Sequence, residues 1–148
     1  CVVSRELAEK IHCPPGETYI RFSMIRLGAT DEDPPIAWTT EYVDRSWQDL
    51  IAEAKKNPNH LMIDVIARVK GKHCTEVRQT IEATTLSAEA AKNLKAEAGA
   101  PCLRILRRYV SAHGKVLLTT VSYHPADRYA FNLNVRLDDD GVGRAIES

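Results

Sequence analysis

Two stretches decide how this chain folds: "SRELAEKIHCPPGETYIRF", residues 4–22, and "SAEAAKNLKAEAGAPCLRI", residues 87–105. At a constant offset of 83 they put Ser4 on Ser87, Glu6 on Glu89, Ala8 on Ala91, Ile11 on Leu94, Gly16 on Gly99 and Arg21 on Arg104 without a gap. After a shift of two residues, Thr39 falls on Thr120 and Tyr42 on Tyr123. Self-similarity of this kind means one supersecondary unit written twice, and missing it mis-reads the whole fold.

Each copy dictates the same local structure. Ser4 is an N-cap with Glu6 in the first turn, and Leu7, Ala8 and Ile11 form an apolar stripe that Pro14, Pro15 and Gly16 end. "TYIRFSMIRL" then reads as a strand, "GATDEDPP" as a turn and "IAWTTEYV" as a returning strand. In the second copy Ser87 caps a helix stopped by Gly99 and Pro101, "CLRILRRYV" extends, "SAHGK" turns and "VLLTTVSYH" returns. Between the copies lie an amphipathic helix, "SWQDLIAEAKK", the apolar "LMIDVIARV", open to helix or strand, and the β-rich "HCTEVRQTIEATTL". "YAFNLNVRL" is the last expected strand, and "DDDGVGRAIES" is expected to fray. Two helix-hairpin units bury their apolar faces by lying side by side in one antiparallel sheet with the helices on one face, an α+β fold with a cleft where the units meet.

Composition narrows the function. A chain of 148 residues with 44% hydrophobic content supports one domain, residues 1–148, with a real core. A formal net charge of zero, spread along the chain, lacks the basic field that drives nucleic-acid binding. Cys1, Cys13, Cys74 and Cys102 share no close spacing and read as reduced thiols, which favours the cytoplasm. No apolar run approaches the roughly 20 residues that cross a bilayer, and no signal peptide opens the chain. A start at Cys1 instead of Met is expected of a fragment of something longer.

The period of two puts Leu118, Thr120, Ser122 and His124 on one face of the second returning strand, a face suited to hydrogen-bonding a ligand. On the strand before it Leu103, Ile105, Arg107 and Tyr109 share a face, and an arginine among apolar neighbours invites a carboxylate or phosphate, or else a structural partner such as Glu82 or Asp127. In the first unit Arg26 ends the strand, Thr39 and Glu41 share one face of its partner, and Thr40 and Tyr42 share the other. Within "HPADRY", Asp127 and Arg128 read as holding a turn. The five histidines show no metal-ligand spacing, and no phosphate-cradling glycine loop or nucleophile elbow is present. No metal, cofactor or catalytic residue is expected, and a binding module explains the residues with fewest assumptions.

"EAGAPCLRILRRYVSAHGKVLLTTVSYHPADRYAFNLNVRL", preceded by "QTIEATTLSAEAAKNL", resembles the UTRA effector-binding domain of bacterial GntR-type, HutC-like transcription regulators. Ile81 and Glu82, Ala91 and Leu94, Gly99, Pro101 and Leu103, Arg107 and Tyr109, Gly114, and the Asp127-Arg128-Tyr129 run carry the likeness. Gly16, Glu17, Arg26, Pro35, Ile36 and Tyr42 extend it into the first unit, so that it covers about Ser4 to Leu137. The resemblance implies a chorismate-lyase-like antiparallel sheet with helices, a small-molecule pocket and a homodimer. DNA would be reached only through an N-terminal winged helix-turn-helix domain that is absent from this chain, and the regulator would be a repressor. In sugar-phosphate-sensing relatives the pocket uses arginines near Arg26, an acid at the position of Thr39, a serine and tyrosine near Leu61 and Ile63, a glutamate at Leu118 and a tyrosine at His124. Those departures argue against a phosphosugar and for a smaller or more apolar carboxylate-bearing metabolite. Glu41, Tyr42, Arg107, Tyr109, Thr120 and Ser122 complete the implied pocket. A chorismate-lyase-like enzyme and a pure oligomerisation module are the alternatives. For the dimer surface, an exposed strand edge or the helix around Trp47 is expected.

Overall fold

In the computed structural model, which describes residues 1–139 and the backbone of 143–147, the elements run α1 (Arg5–Ile11), β1 (Tyr19–Arg26), β2 (Ala37–Asp44), α2 (Asp49–Lys56), α3 (Met62–Lys70), β3 (Cys74–Thr85), α4 (Ala88–Leu94), β4 (Pro101–Ser111), β5 (Val116–Pro125), β6 (Leu133–Leu137) and β7 (Gly143–Glu147). The first five strands form one antiparallel sheet in the order β1-β2-β5-β4-β3, and β6 pairs with β7 in a separate hairpin. The fold is α+β, as the sequence implies. "LMIDVIARV" resolves as helix α3. In place of a frayed end, Gly143–Glu147 pairs with β6; residues 140–142 and 148 of that stretch lie outside the described residues.

The repeat holds down to single hydrogen bonds. Ser4 and Ser87 cap their helices from near-identical backbone (φ −65°, ψ 162° and φ −65°, ψ 165°), each Oγ accepting the N–H three residues on. His12 and Lys95 end the helices in the left-handed region at φ 53° and 49°. Gly16 and Gly99 follow at φ 82° and 83°, where a side chain is strained, and donate N–H to the carbonyls of Val3 and Leu86. The lone Val2–Thr18 bridge is the counterpart, at the same offset, of Thr85–Pro101 in the β3–β4 ladder. Where the units meet, the β2–β5 ladder runs from Trp38–Tyr123 to Tyr42–Thr119 with Thr40–Val121 at its middle. Those two central residues are equivalent in the repeat, so the quasi-twofold axis passes between them.

The helices occupy both faces, not the single face expected. α1 and α4 pack on one: Ala8 and Ile11 lie against Tyr42, Leu106 and Val121, and Ala90, Ala91 and Leu94 lie against Cys102, Trp38 and Tyr123. The inserted pair α2–α3 packs on the other, where Trp47, Leu50, Met62, Val65 and Ile66 cover Val43 and Leu118, with Phe22 and Tyr109 at the margin. Among the described residues the insertion has no helical equivalent in the second unit, so it covers only one end of its face. The Trp47 side chain is therefore part of this core, while Arg45, Gln48 and Asp49 beside it are exposed.

Candidate functional site

The strand registers place nine of the candidate side chains on the face that α2–α3 half covers. Phe22 pairs with Glu41, Glu41 with Thr120, and Thr120 with Arg107, making one row across the sheet. The next row is Met24, Thr39, Ser122 and Ile105, and beyond it Arg26 pairs with Ala37 while His124 pairs with Leu103. Leu118 and Tyr109, on the row behind, belong to the cluster under α2–α3 and form the wall at the covered end. The alternation read from the sequence thus converges on one surface once β2 and β5 are neighbours.

That surface is polar where most sheet faces are greasy. Glu41, Thr120 and His124 are all buried. Thr39 Oγ1 and Ser122 Oγ are hydrogen-bonded at 2.7 Å across the β2–β5 ladder. Glu41 Oε2 and His124 Nδ1 are buried without a hydrogen-bond partner among the described residues. An unsatisfied buried polar atom costs roughly 1–3 kcal/mol, so two on one face need a reason. Burial pushes the Glu41 carboxyl up to about 7. Burial, with Arg107 and Arg26 adding repulsion, pushes the His124 imidazole down to about 4, against a hydrogen bond to the backbone of Ile36. His124 also stacks on Tyr129, ring centroids 4.0 Å apart at 28°. Arg107 Nε donates to Gln79 Oε1, while Glu82 pairs with Arg104 at 3.0 Å, so the ion pair considered between Arg107 and Glu82 does not form. Arg26 is exposed at the rim.

A cavity of about 300 Å³ opens between β1, Glu41 and the α2–α3 loop, lined by Phe22, Met24, Glu41, Asn57, His60, Met62 and Val65 among others. Of the expected pocket residues only Glu41 lines it; Arg26, Thr39, Arg107, Tyr109, Leu118, Thr120, Ser122 and His124 share its sheet face but stand outside its lining, and the remaining three are turned elsewhere. Tyr42 points to the opposite face and packs beneath α1, as the alternation with Glu41 requires. Leu61 stands exposed at the start of α3, and Ile63 packs against the cluster below. Met62 and Val65, one helical turn apart, take their place. Their i, i+3 spacing was the available signal, as was the alternation of Phe22 and Met24, whereas the stacking of Tyr129 on His124 depends on the turn after β5.

Two other clefts lie on the opposite side, at the C-terminal ends of α4 (about 540 Å³) and α1 (about 250 Å³). The repeat relates them: Lys95 and Ala96 of one stand where His12 and Cys13 stand in the other. They follow from the duplicated helix-to-strand turn. In the larger, Arg128 is already engaged, donating to the carbonyls of Pro35 at 2.8 Å, Leu94 at 2.6 Å and Lys95 at 3.1 Å. The turn role read for Arg128 in "HPADRY" is thus a clamp on α4. The polar groups lacking partners lie on the other face, and size does not outweigh that.

A duplicated helix-hairpin frame around a half-covered, polar sheet face is the architecture that the comparisons with known proteins identify. The UTRA domain family matches residues 1–130, and the chain belongs to it. No curated protein sequence matches the chain. Among solved structures it is similar to a GntR-family transcriptional regulator from Enterococcus faecalis, at 20% identity and a TM-score of 0.73, covering 90% of this chain and 93% of that one. It is also similar to the C-terminal domain of YurK from Bacillus subtilis, at 16% identity and TM-score 0.71, covering 90% and 88%. The effector domain of PhnF from Mycobacterium smegmatis follows at 17% identity and TM-score 0.65, covering 89% and 78%. The chain is a ligand-sensing regulatory domain of the UTRA type. Among the described residues no helix is long and apolar enough to cross a membrane, and no group of three or more His, Cys, Asp or Glu is gathered as a metal site.

Proposed function

We propose that the half-covered face binds a small carboxylate-bearing effector and that the chain works as a homodimer. Occupancy is passed to a DNA-reading domain of the full-length regulator, a cytoplasmic repressor. The observation that carries the reading is a polar floor of half-buried Thr39 and Ser122, hydrogen-bonded to each other, beside buried Thr120 and His124, with an imidazole Nδ1 that lacks a partner among the described residues. An acid suits its open end because Arg26 stands exposed at the rim on the His124 side of the face, and a guanidinium binds carboxylate in bidentate fashion. The hydroxyls supply orientation, and the cavity under α2–α3, which reaches this face at Glu41, adds room beside the floor at the lower end of what small-molecule sites use. That room speaks against a collapsed oligomerisation module. Family membership and the floor of hydroxyls favour a sensor over a chorismate-lyase-like catalyst, since fold alone does not assign chemistry.

The effector shifts regulation only to the extent that it binds one dimer arrangement better than another. The α2–α3 pair is suited to transmit that preference, because it touches the ligand cavity on one side and the core cluster on the other. A thermal-shift panel of aliphatic, aromatic and imidazole carboxylates tests the reading. At least one is expected to raise Tm by several degrees, and the double variant Thr39→Val, Ser122→Ala is expected to lose most of that rise. A panel in which every stabilising acid acts equally on the variant would sink it.

A further inference from the structure

An acid end leaves Glu41 unused. Its residue is 7% exposed, its Oε2 has no partner, and its carboxyl faces a cavity walled by Phe22, Met24, Met62 and Val65. A carboxyl buried without a partner for one of its oxygens costs free energy that an apolar side chain at the same place would not, so folding alone does not account for it. Nor does the acid-binding end. Glu41 is level with Thr120, and His124 lies four residues further along β5, about 13 Å away at the usual rise. Arg26 is at the far end of the same face.

We propose that Glu41 is a recognition point for a protonated amine, so that the effector carries a cationic nitrogen at the α2–α3 end as well as an acid at the Arg26 and His124 end. A cation in that cavity supplies the missing partner and removes the penalty of the buried charge at once. The elements around Glu41 leave the position open to an incoming cation: β1 offers Phe22 and Met24, α3 offers Met62 and Val65, and β5 offers Thr120. The charged or titratable groups at the mouth are Lys55 and His60. Neither pairs with Glu41, whose shift is due to burial alone. The acid end rests on the effector reading given above; the amine end can be tested without it.

The two methionines of the chain, Met24 and Met62, both line this cavity. Labelling their methyl groups with carbon-13 therefore gives two signals, each reporting on the site. The full chain is titrated with three probes of one length: butylammonium, butanol and butyrate. Butylammonium is expected to move both methyl signals with at least tenfold tighter binding than butanol or butyrate. Its affinity is expected to rise roughly tenfold between pH 6 and pH 8 as Glu41 ionises. In Glu41→Gln the preference for butylammonium over butanol disappears, while the dispersed backbone amide spectrum away from the cavity reports that the variant is folded. Equal responses to butanol and butylammonium, a preference that survives Glu41→Gln, or no response to butylammonium would each overturn the proposal. Should Glu41→Gln not fold, the three probes on the wild-type chain decide by themselves. The effector reading stands or falls separately, on whether butyrate moves the backbone amides of Thr39, Ser122 and His124.

Discussion

At the scale of single residues, Glu41 and His124 depart from their ordinary values in opposite senses, and the consequence is measurable. The folded Glu41 carboxyl titrates near 7 where a free one titrates near 4.5. It therefore favours the folded state fully below pH 4.5, and that contribution is lost as pH rises through 7. The folded His124 titrates near 4 where a free imidazole titrates near 6.5, so its contribution is present above pH 6.5 and is lost as pH falls towards 4. Between about pH 4.5 and 6.5 the two slopes oppose, each at most about 1.4 kcal/mol per pH unit. Denaturant midpoints across that window are expected to diverge from wild type in opposite directions. Glu41→Gln leaves the His124 slope and loses stability towards acid, whereas His124→Asn leaves the Glu41 slope and gains it. Parallel curves would mean that one of the two groups is not buried as described. Alternation along one strand was enough to group Thr39 with Glu41 and Thr120 with His124. Their burial was not legible, because it depends on α2–α3 and on Tyr129, which reach the face from elsewhere in the chain.

At the scale of elements, the duplicated turn gives paired predictions. Gly16 and Gly99 share a positive φ, and a Cβ at either meets nothing within 4 Å, so the cost of Ala is backbone strain alone. Chemical denaturation of Gly16→Ala and Gly99→Ala is expected to show losses of about 1–2 kcal/mol each, equal within error. A large difference would show that the copies are not under the same local constraint. The copies do differ at the clamp. Arg128 holds three carbonyls at the end of α4 and before β2, and the matching position after β2 is Trp47, which turns into the opposite core. Arg128→Met is expected to cost about 2–4 kcal/mol by denaturant unfolding, since charged hydrogen bonds and buried carbonyls are lost together. Asp127→Asn, at an exposed and loose 3.7 Å contact, is expected to change little. The caps, turns and strands of both units were legible because Ser, Gly and Pro act locally. The coverage of both faces was not. An apolar stripe shows that a helix is buried, and only the strand order shows against which side.

At the scale of the molecule, the duplication explains why one face of the sheet is left half open. Two equal units close one side of the sheet symmetrically with α1 and α4. The insertion α2–α3 closes the other side only over the end at Val43 and Leu118, leaving a polar shelf beside the quasi-twofold axis. Sequence alone identified the units and their hairpins, but it could not show that β2 and β5 are neighbours. That pairing is what joins Thr39 to Ser122 and merges two modest strand faces into one site. That Met62 and Val65 line the cavity while Leu61 and Ile63 do not has a related reason, the rotation of α3 on its axis being set by its packing partners.

The measurement that bears most directly on this site is native mass spectrometry of the full chain after incubation with a pooled metabolite extract, for wild type and Ser122→Trp. The indole of the variant would fill the shelf from β5 without reaching the clefts at the ends of α1 and α4. The expected result is a bound small acid in the wild type that is absent from a folded Ser122→Trp. A small molecule held equally by both proteins would place the ligand elsewhere and contradict the assignment of this face.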